Sequence, residues 1–193
     1  MSCSSRLPSA ERLSRRRWVV GAAALALAGL APLTQANTSR QPLSVRGYTL
    51  QPRGEGQMRF FGLSVYTARL WVSDGFDPAR HAAVPLALEL AYARNFTGRD
   101  IAQRSLQEMK RQMSIDKALE AKWISNLAAV LPDVKPGDRL LGVHQPQTGA
   151  LFLQGERVLG AVDDPLFSEL FFGIWLSAAT SEPALRAALV AKA

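Results

Sequence analysis

The sequence predicts an α+β fold built on a mainly antiparallel sheet, and three observations carry that prediction. Strand-like segments come in two runs, each followed by two helix-like segments, an order that lacks the strict alternation of a doubly wound parallel sheet. The stretch 59–72 is rich in aromatic and β-branched residues, contains no proline, and reads as one long central strand. The single cysteine is Cys3, so everything downstream must be held by a core and not by disulfides.

The chain opens with an address. Ser14-Arg15-Arg16-Arg17-Trp18 sets paired arginines before an apolar run over 19–33, and Thr34-Gln35-Ala36 offers a small residue for cleavage. This is the pattern of a twin-arginine-type signal peptide over 1–36, with the mature domain at 37–193 and a periplasmic or secreted destination. The run is shorter than the roughly 20 residues of a spanning helix. An uncleaved inner-membrane anchor is the competing expectation; once the signal is cleaved, no integral membrane segment is expected. The first 36 residues carry five arginines and one glutamate of the chain's 23 Lys+Arg and 16 Asp+Glu, leaving 18 against 15. The high isoelectric point is therefore largely a property of the signal, and no basic stripe remains to favour a nucleic-acid partner.

Residues 43–51, with Val45, Tyr48 and Leu50, read as a strand, and Pro52-Arg53-Gly54-Glu55-Gly56 as the hairpin turn into the central strand. At period two, Phe60, Gly62, Ser64, Tyr66, Ala68 and Leu70 share one face, and the small neighbours leave room beside the Tyr66 phenol. After a loop over 73–78, residues 84–92 return as a strand. Thr97 with Asp100 makes a variant capping box for a helix over 98–112, with Ile101, Ser105, Met109 and Met113 on one side. Ser114 or Asp116 caps a second helix that ends at Pro132. Strands at 139–143, 149–153 and 157–162 form a second meander. Asp163-Asp164-Pro165 then opens an apolar helix to Leu176, and a last helix from Pro183 carries Leu185 and Leu189.

Several function classes lack their residues. His81 and His144 stand apart, with no cysteine or paired carboxylate at ligand spacing, so no metal is expected. There is no nucleophile elbow, phosphate loop or dinucleotide fingerprint, so no cofactor is expected either. A cavity-type function built on arginine and tyrosine remains.

The segments Val65-Tyr66-Thr67-Ala68-Arg69-Leu70-Trp71, Leu88-Glu89-Leu90-Ala91-Tyr92, the run from Pro132 to Leu140 and Phe171-Phe172-Gly173-Ile174-Trp175-Leu176, in that order, resemble the bacterial chalcone isomerase-like family. The resemblance implies a chalcone isomerase-like open-faced β-sandwich, a large antiparallel sheet covered by helices with a cleft between. It also implies one of two activities, because the family holds enzymes that close a chalcone into a flavanone and fatty-acid-binding relatives that do no such chemistry. The enzymes use an arginine before the central strand, a threonine within it, and a tyrosine and an asparagine on the following helix. Those positions fall here on Arg59 or Arg53, Tyr66, Ile101 and Glu108, so an aliphatic and a carboxylate replace two polar groups.

The expectation is a binding protein for a fatty acid or similar small amphipathic carboxylate, held by Tyr66 with Arg59 or Arg53. Because Arg59 and Tyr66 fall on opposite faces of an unbroken strand, a bulge near Phe61-Gly62 or the use of Arg53 is required. Two alternatives stand beside it. One is an isomerase or intramolecular lyase acting on an enone, with Tyr66 and Arg59 as catalytic candidates. The other is an envelope interaction protein with no small ligand, whose apolar 171–176 helix closes any cleft; the sequence itself names no protein partner.

Overall fold

The structure is a computed structural model, described here over residues 41–191; the expected signal at 1–36 lies outside those residues. Seven strands form one antiparallel sheet in which each pairs with the next along the chain. They are β1 (Leu43–Val45), β2 (Tyr48–Phe60), β3 (Leu63–Val72), β4 (Leu86–Tyr92), β5 (Arg139–Gln145), β6 (Gly149–Gln154) and β7 (Arg157–Val162). Helices α1 (Gly98–Met109) and α2 (Lys117–Val130) fall between β4 and β5, and α3 (Pro165–Leu176) and α4 (Pro183–Val190) follow β7. This is the α+β class, with an antiparallel sheet covered by helices.

The expected first hairpin is corrected. The turn lies at Phe61-Gly62, with φ of 47° and 77°, the doubly left-handed backbone that lets a two-residue connection match the twist of its strands. The proposed turn at 52–56 is the middle of the 13-residue β2. Gly54 and Gly56 serve close approach there. A Cβ at Gly54 would strike the carbonyl oxygens of Ala188 and Leu189, and one at Gly56 would lie 2.6 Å from Leu185 Cδ1, so bare backbone is what allows α4 to lie on the strand. Arg53 supports the same contact, donating from Nε to Val190 O at 2.9 Å with its guanidinium 5.7 Å from the Phe76 ring centroid.

The helices start where short polar side chains cap them. Thr97 accepts from Asp100 N at 3.1 Å, Asp116 accepts from the amides of Ala118 and Leu119 at 2.9 Å, and Asp164 accepts from Phe167 N at 3.0 Å, each satisfying an amide the first turn leaves free. Helix α1 stops at Met109, three residues before the expected end. Asp164 also takes the indole N–H of Trp123 at 2.9 Å, tying α2 to the head of α3.

The main core lies between the helices and one sheet face, where Leu70, Leu88, Phe152, Trp123, Phe167 and Phe172 are among the buried side chains. Phe167, Phe171 and Trp175 line up along α3 with successive centroids 5.5 Å apart. A smaller cluster of Leu50, Trp71, Ala87, Val143, Leu151 and Leu153 lies on the other side, packed against Leu43 and Val45 of β1. Beyond it the outer face is charged: Arg69 holds Glu55 at 2.6 Å and Arg139 holds Glu89 at 2.6 Å, opposite charges on adjacent strands. No helix of the described residues is long and apolar enough to cross a membrane.

Candidate functional site

The helices do not seal the sheet along its whole length. Between the inner face of β3, β4 and β5 and helices α1 and α3 lies a cleft of about 540 Å³, within the range of roughly 300–1,000 Å³ usual for small-molecule sites. Its walls are mostly apolar: Leu88, Leu90 and Leu140 from the sheet, Ile101 from α1, Phe171 and Ile174 from α3. Phe60 and Leu63, from the strands flanking the β2–β3 turn, border it as well.

Tyr66 lines this cleft, but not beside the small residues expected on its face: Gly62 lies in the turn, and Ser64 pairs with Arg59 and bonds Gln57 on the outer side. The ladder explains how it gets there. Met58 pairs with Tyr66 but Arg59 pairs with Ser64, so Val65 is an extra residue in β3, a bulge that shifts the alternation by one. Leu63 and Val65 therefore join Tyr66 on the cleft wall. The phenol oxygen accepts the Trp175 indole N–H at 3.0 Å. Burial pushes the phenol up to about 12, against the pull of the Trp175 bond, with Glu182 and Glu108 adding to the rise. At neutral pH the hydroxyl is therefore protonated, with one lone pair used by Trp175 and its O–H free to donate.

The two arginines expected beside Tyr66 are elsewhere. Arg53 is committed to the end of α4. Arg59 is exposed and bonds Gln57 Oε1 at 2.8 Å; it sits between Met58 and Phe60, both of which face the cleft, and so points away. The arginines on the cleft wall are Arg94 and Arg104.

Arg104 reaches Glu108 Oε1 at 2.6 Å, with the glutamate side chain 10% exposed and the arginine 66% exposed. The second Glu108 oxygen has Arg111 Nε at 3.7 Å and no hydrogen bond among the described residues. Asp100, Ser105, Ser181 and Glu182 also belong to the polar part of the wall. Of the positions aligned from the sequence, Ile101 and Glu108 do reach the cleft. Arg104 escaped notice, although its spacing of three from Ile101 and four from Glu108 puts all three on one side of α1. Trp175 had no local signal, because its partner is 109 residues away.

The two histidines stand outside the cleft. His144 is buried, with Nδ1 2.6 Å from Ser168 Oγ and Nε2 donating to Ala82 O at 3.0 Å, while Ser168 is also 2.9 Å from Gly149 O. Desolvation holds the His144 imidazole below its ordinary value. His81 is buried as well and bonds Glu169 O at 3.1 Å. The described residues contain no cluster of three metal-ligating side chains.

Residues 34–191 match the model of a family described as chalcone isomerase-like. A protein of Haemophilus influenzae described as uncharacterized is 27% identical over 127 residues, a match covering 66% of this chain and 61% of the relative. The chain thus spans less than two thirds of that relative's length. Among solved structures, an Arabidopsis thaliana fatty-acid binding protein superposes with a TM-score of 0.55 at 10% identity, covering 78% of this chain and 96% of the plant protein. At that identity the likeness is one of fold.

Proposed function

Because the chain belongs to the chalcone isomerase-like family, whose fold serves both catalysis and ligand binding, we propose that its cleft binds a fatty acid or similar amphipathic carboxylate and does no chemistry on it. The observation that carries this reading is a phenol donor, Tyr66, set in an apolar cleft of about 540 Å³ with the Arg104 guanidinium on its wall. The carboxylate accepts from the Tyr66 hydroxyl and from Arg104, which has further N–H groups beyond the one held by Glu108. The alkyl chain lies along Leu88, Leu90 and Leu140, where its burial supplies most of the affinity. Arg53 and Arg59, off the cleft wall, take no part. The plant protein of like fold is a fatty-acid binding protein, which supports the ligand class by analogy.

Ile101 and Glu108 favour binding over cyclisation. They stand on the cleft wall where the resemblance would call for a tyrosine and an asparagine to hold water and steady an enolate, and neither an aliphatic nor a carboxylate does that. The expected rate with a 2′-hydroxychalcone is background. The same proposal places the protein outside the cytoplasm, on the strength of Arg15-Arg16-Arg17 and the apolar run behind them; N-terminal sequencing of the exported fraction is expected to begin at Asn37.

The test is native mass spectrometry of the purified protein, with denaturation to release any small molecule, followed by titration with saturated fatty acids of graded length. One bound carboxylate per chain, weakened by Arg104→Gln and not by Arg59→Gln, is the expected result. An unliganded mass together with no binding at any chain length overturns the reading.

A further inference from the structure

The most exposed large apolar side chains among the described residues gather at one point. Phe61 is 89% exposed, Phe60 61% and Leu63 54%, all at the β2–β3 turn, with the two phenyl rings 4.6 Å apart. Phe61 also has a φ of 47°, a left-handed position at which glycine, asparagine or aspartate is the usual choice. A bulky aromatic is thus kept where it strains the backbone and gains no burial in the fold, which points to a use outside it.

Two arginines stand beside the tip. Arg59 bonds only the Gln57 amide oxygen, and Arg94 bonds the Ser64 carbonyl at 3.1 Å. Neither has a carboxylate in ion-pair range among the described residues. Both cations keep donors free for an outside anion.

We propose that this tip docks on a lipid bilayer, with Phe60, Phe61 and Leu63 entering the headgroup–acyl boundary and Arg59 and Arg94 meeting anionic headgroups. Apolar side chains beside uncompensated arginines are the combination that interfacial binding uses. A two-residue turn with three apolar side chains is too small a patch for a stable protein partner, which needs about 800 Å² on each side. Phe60, Leu63 and Arg94 border the cleft too, so docking sets the cleft mouth at the level of the acyl chains. The inference rests on the tip's own residues and stands whether or not the cleft holds a fatty acid.

The test uses the full chain with Cys3→Ser, which removes the only cysteine, and either Phe61→Cys or, as a distant control, Val158→Cys, which is 43% exposed in β7. Each carries an environment-sensitive fluorophore and is mixed with vesicles of phosphatidylcholine, with or without phosphatidylglycerol. The expected result is a blue shift and about a threefold rise at position 61 with phosphatidylglycerol, quenched by acyl-brominated lipid, and none at 158. Arg59→Gln with Arg94→Gln should reduce the rise at 61 at least twofold. A label at 61 that stays open to aqueous quencher on vesicles overturns the proposal, whatever else binds the membrane. So does a blue shift at 61 that needs no vesicles and grows with protein concentration, since a second copy would then cover the tip.

Discussion

The indole N–H of Trp175 on α3 donates to the phenol oxygen of Tyr66 on β3 at 3.0 Å, and this bond spans the cleft from helix to sheet. It fixes the phenol oxygen while leaving its proton free. Tyr66→Phe leaves the buried indole without its acceptor, a loss of roughly 1–2 kcal/mol in stability. Fatty-acid affinity should fall about tenfold or more, the scale of one hydrogen bond to a charged group. Chemical denaturation and calorimetric titration read the two effects separately; unchanged affinity would remove Tyr66 from the site.

Alkaline titration tests the burial of the same phenol. Tyr66 is pushed up to about 12 by desolvation and Tyr92 is raised further by the same cause, so in the folded chain both stay protonated above their ordinary value of 10.0. The unfolded chain releases those protons first. Their contribution to stability is therefore complete below pH 10 and is lost as pH rises toward 12. Absorbance at the tyrosinate band should show a late step that Tyr66→Phe diminishes.

Acid works through His144. Its imidazole is held below 6.5 by desolvation, so below that pH the unfolded chain takes up a proton that the folded chain resists. Stability is complete above the ordinary value and falls as pH drops beneath it. His144→Gln should flatten that part of the curve even if it lowers the plateau, as measured by denaturant midpoints across pH.

Asp164 carries two roles in one carboxylate, capping α3 through Phe167 N and accepting from Trp123. Asp164→Ala should cost about 2–4 kcal/mol, one part for the lost cap and another for the orphaned buried indole. Asp164→Asn, which keeps one of the two acceptor oxygens, should recover only part of the loss in thermal melts.

Gly54→Ala puts a methyl against the carbonyls of Ala188 and Leu189. The expected cost is about 1–3 kcal/mol, as for other overpacked contacts, with early hydrogen exchange confined to α4. Gly62→Ala, in open space but at a φ of 77°, should cost less and leave α4 protected.

The helices were readable because their signals are local: a capping side chain, an apolar stripe and a stop, as at Thr97, Asp116 and Asp164. The β2–β3 connection was not, because Gly54 and Gly56 mimic a turn while meeting a helix some 130 residues on, and Phe61 occupies a position that usually holds glycine or asparagine. Tyr66 does reach the cleft, but of the small neighbours that singled it out Gly62 turns the chain and Ser64 is moved off its face by the bulge. The arginine beside it could not be chosen from strand parity, since the turn at Phe61-Gly62 puts Arg59 on a different strand and Arg104 stands on α1.

The chain-order pairing of β1 to β7 has a consequence for assembly. Each strand meets a template completed just before it, so the sheet can zip forward during synthesis with short closures at every step but β4 to β5, where α1 and α2 intervene, a fast route in topological terms. Helix α4 travels back furthest, to the second strand made. Until it leaves the ribosome the Gly54–Gly56 stretch has no cover, and a nascent chain stalled before Pro183 would present bare β2 backbone to any passing strand.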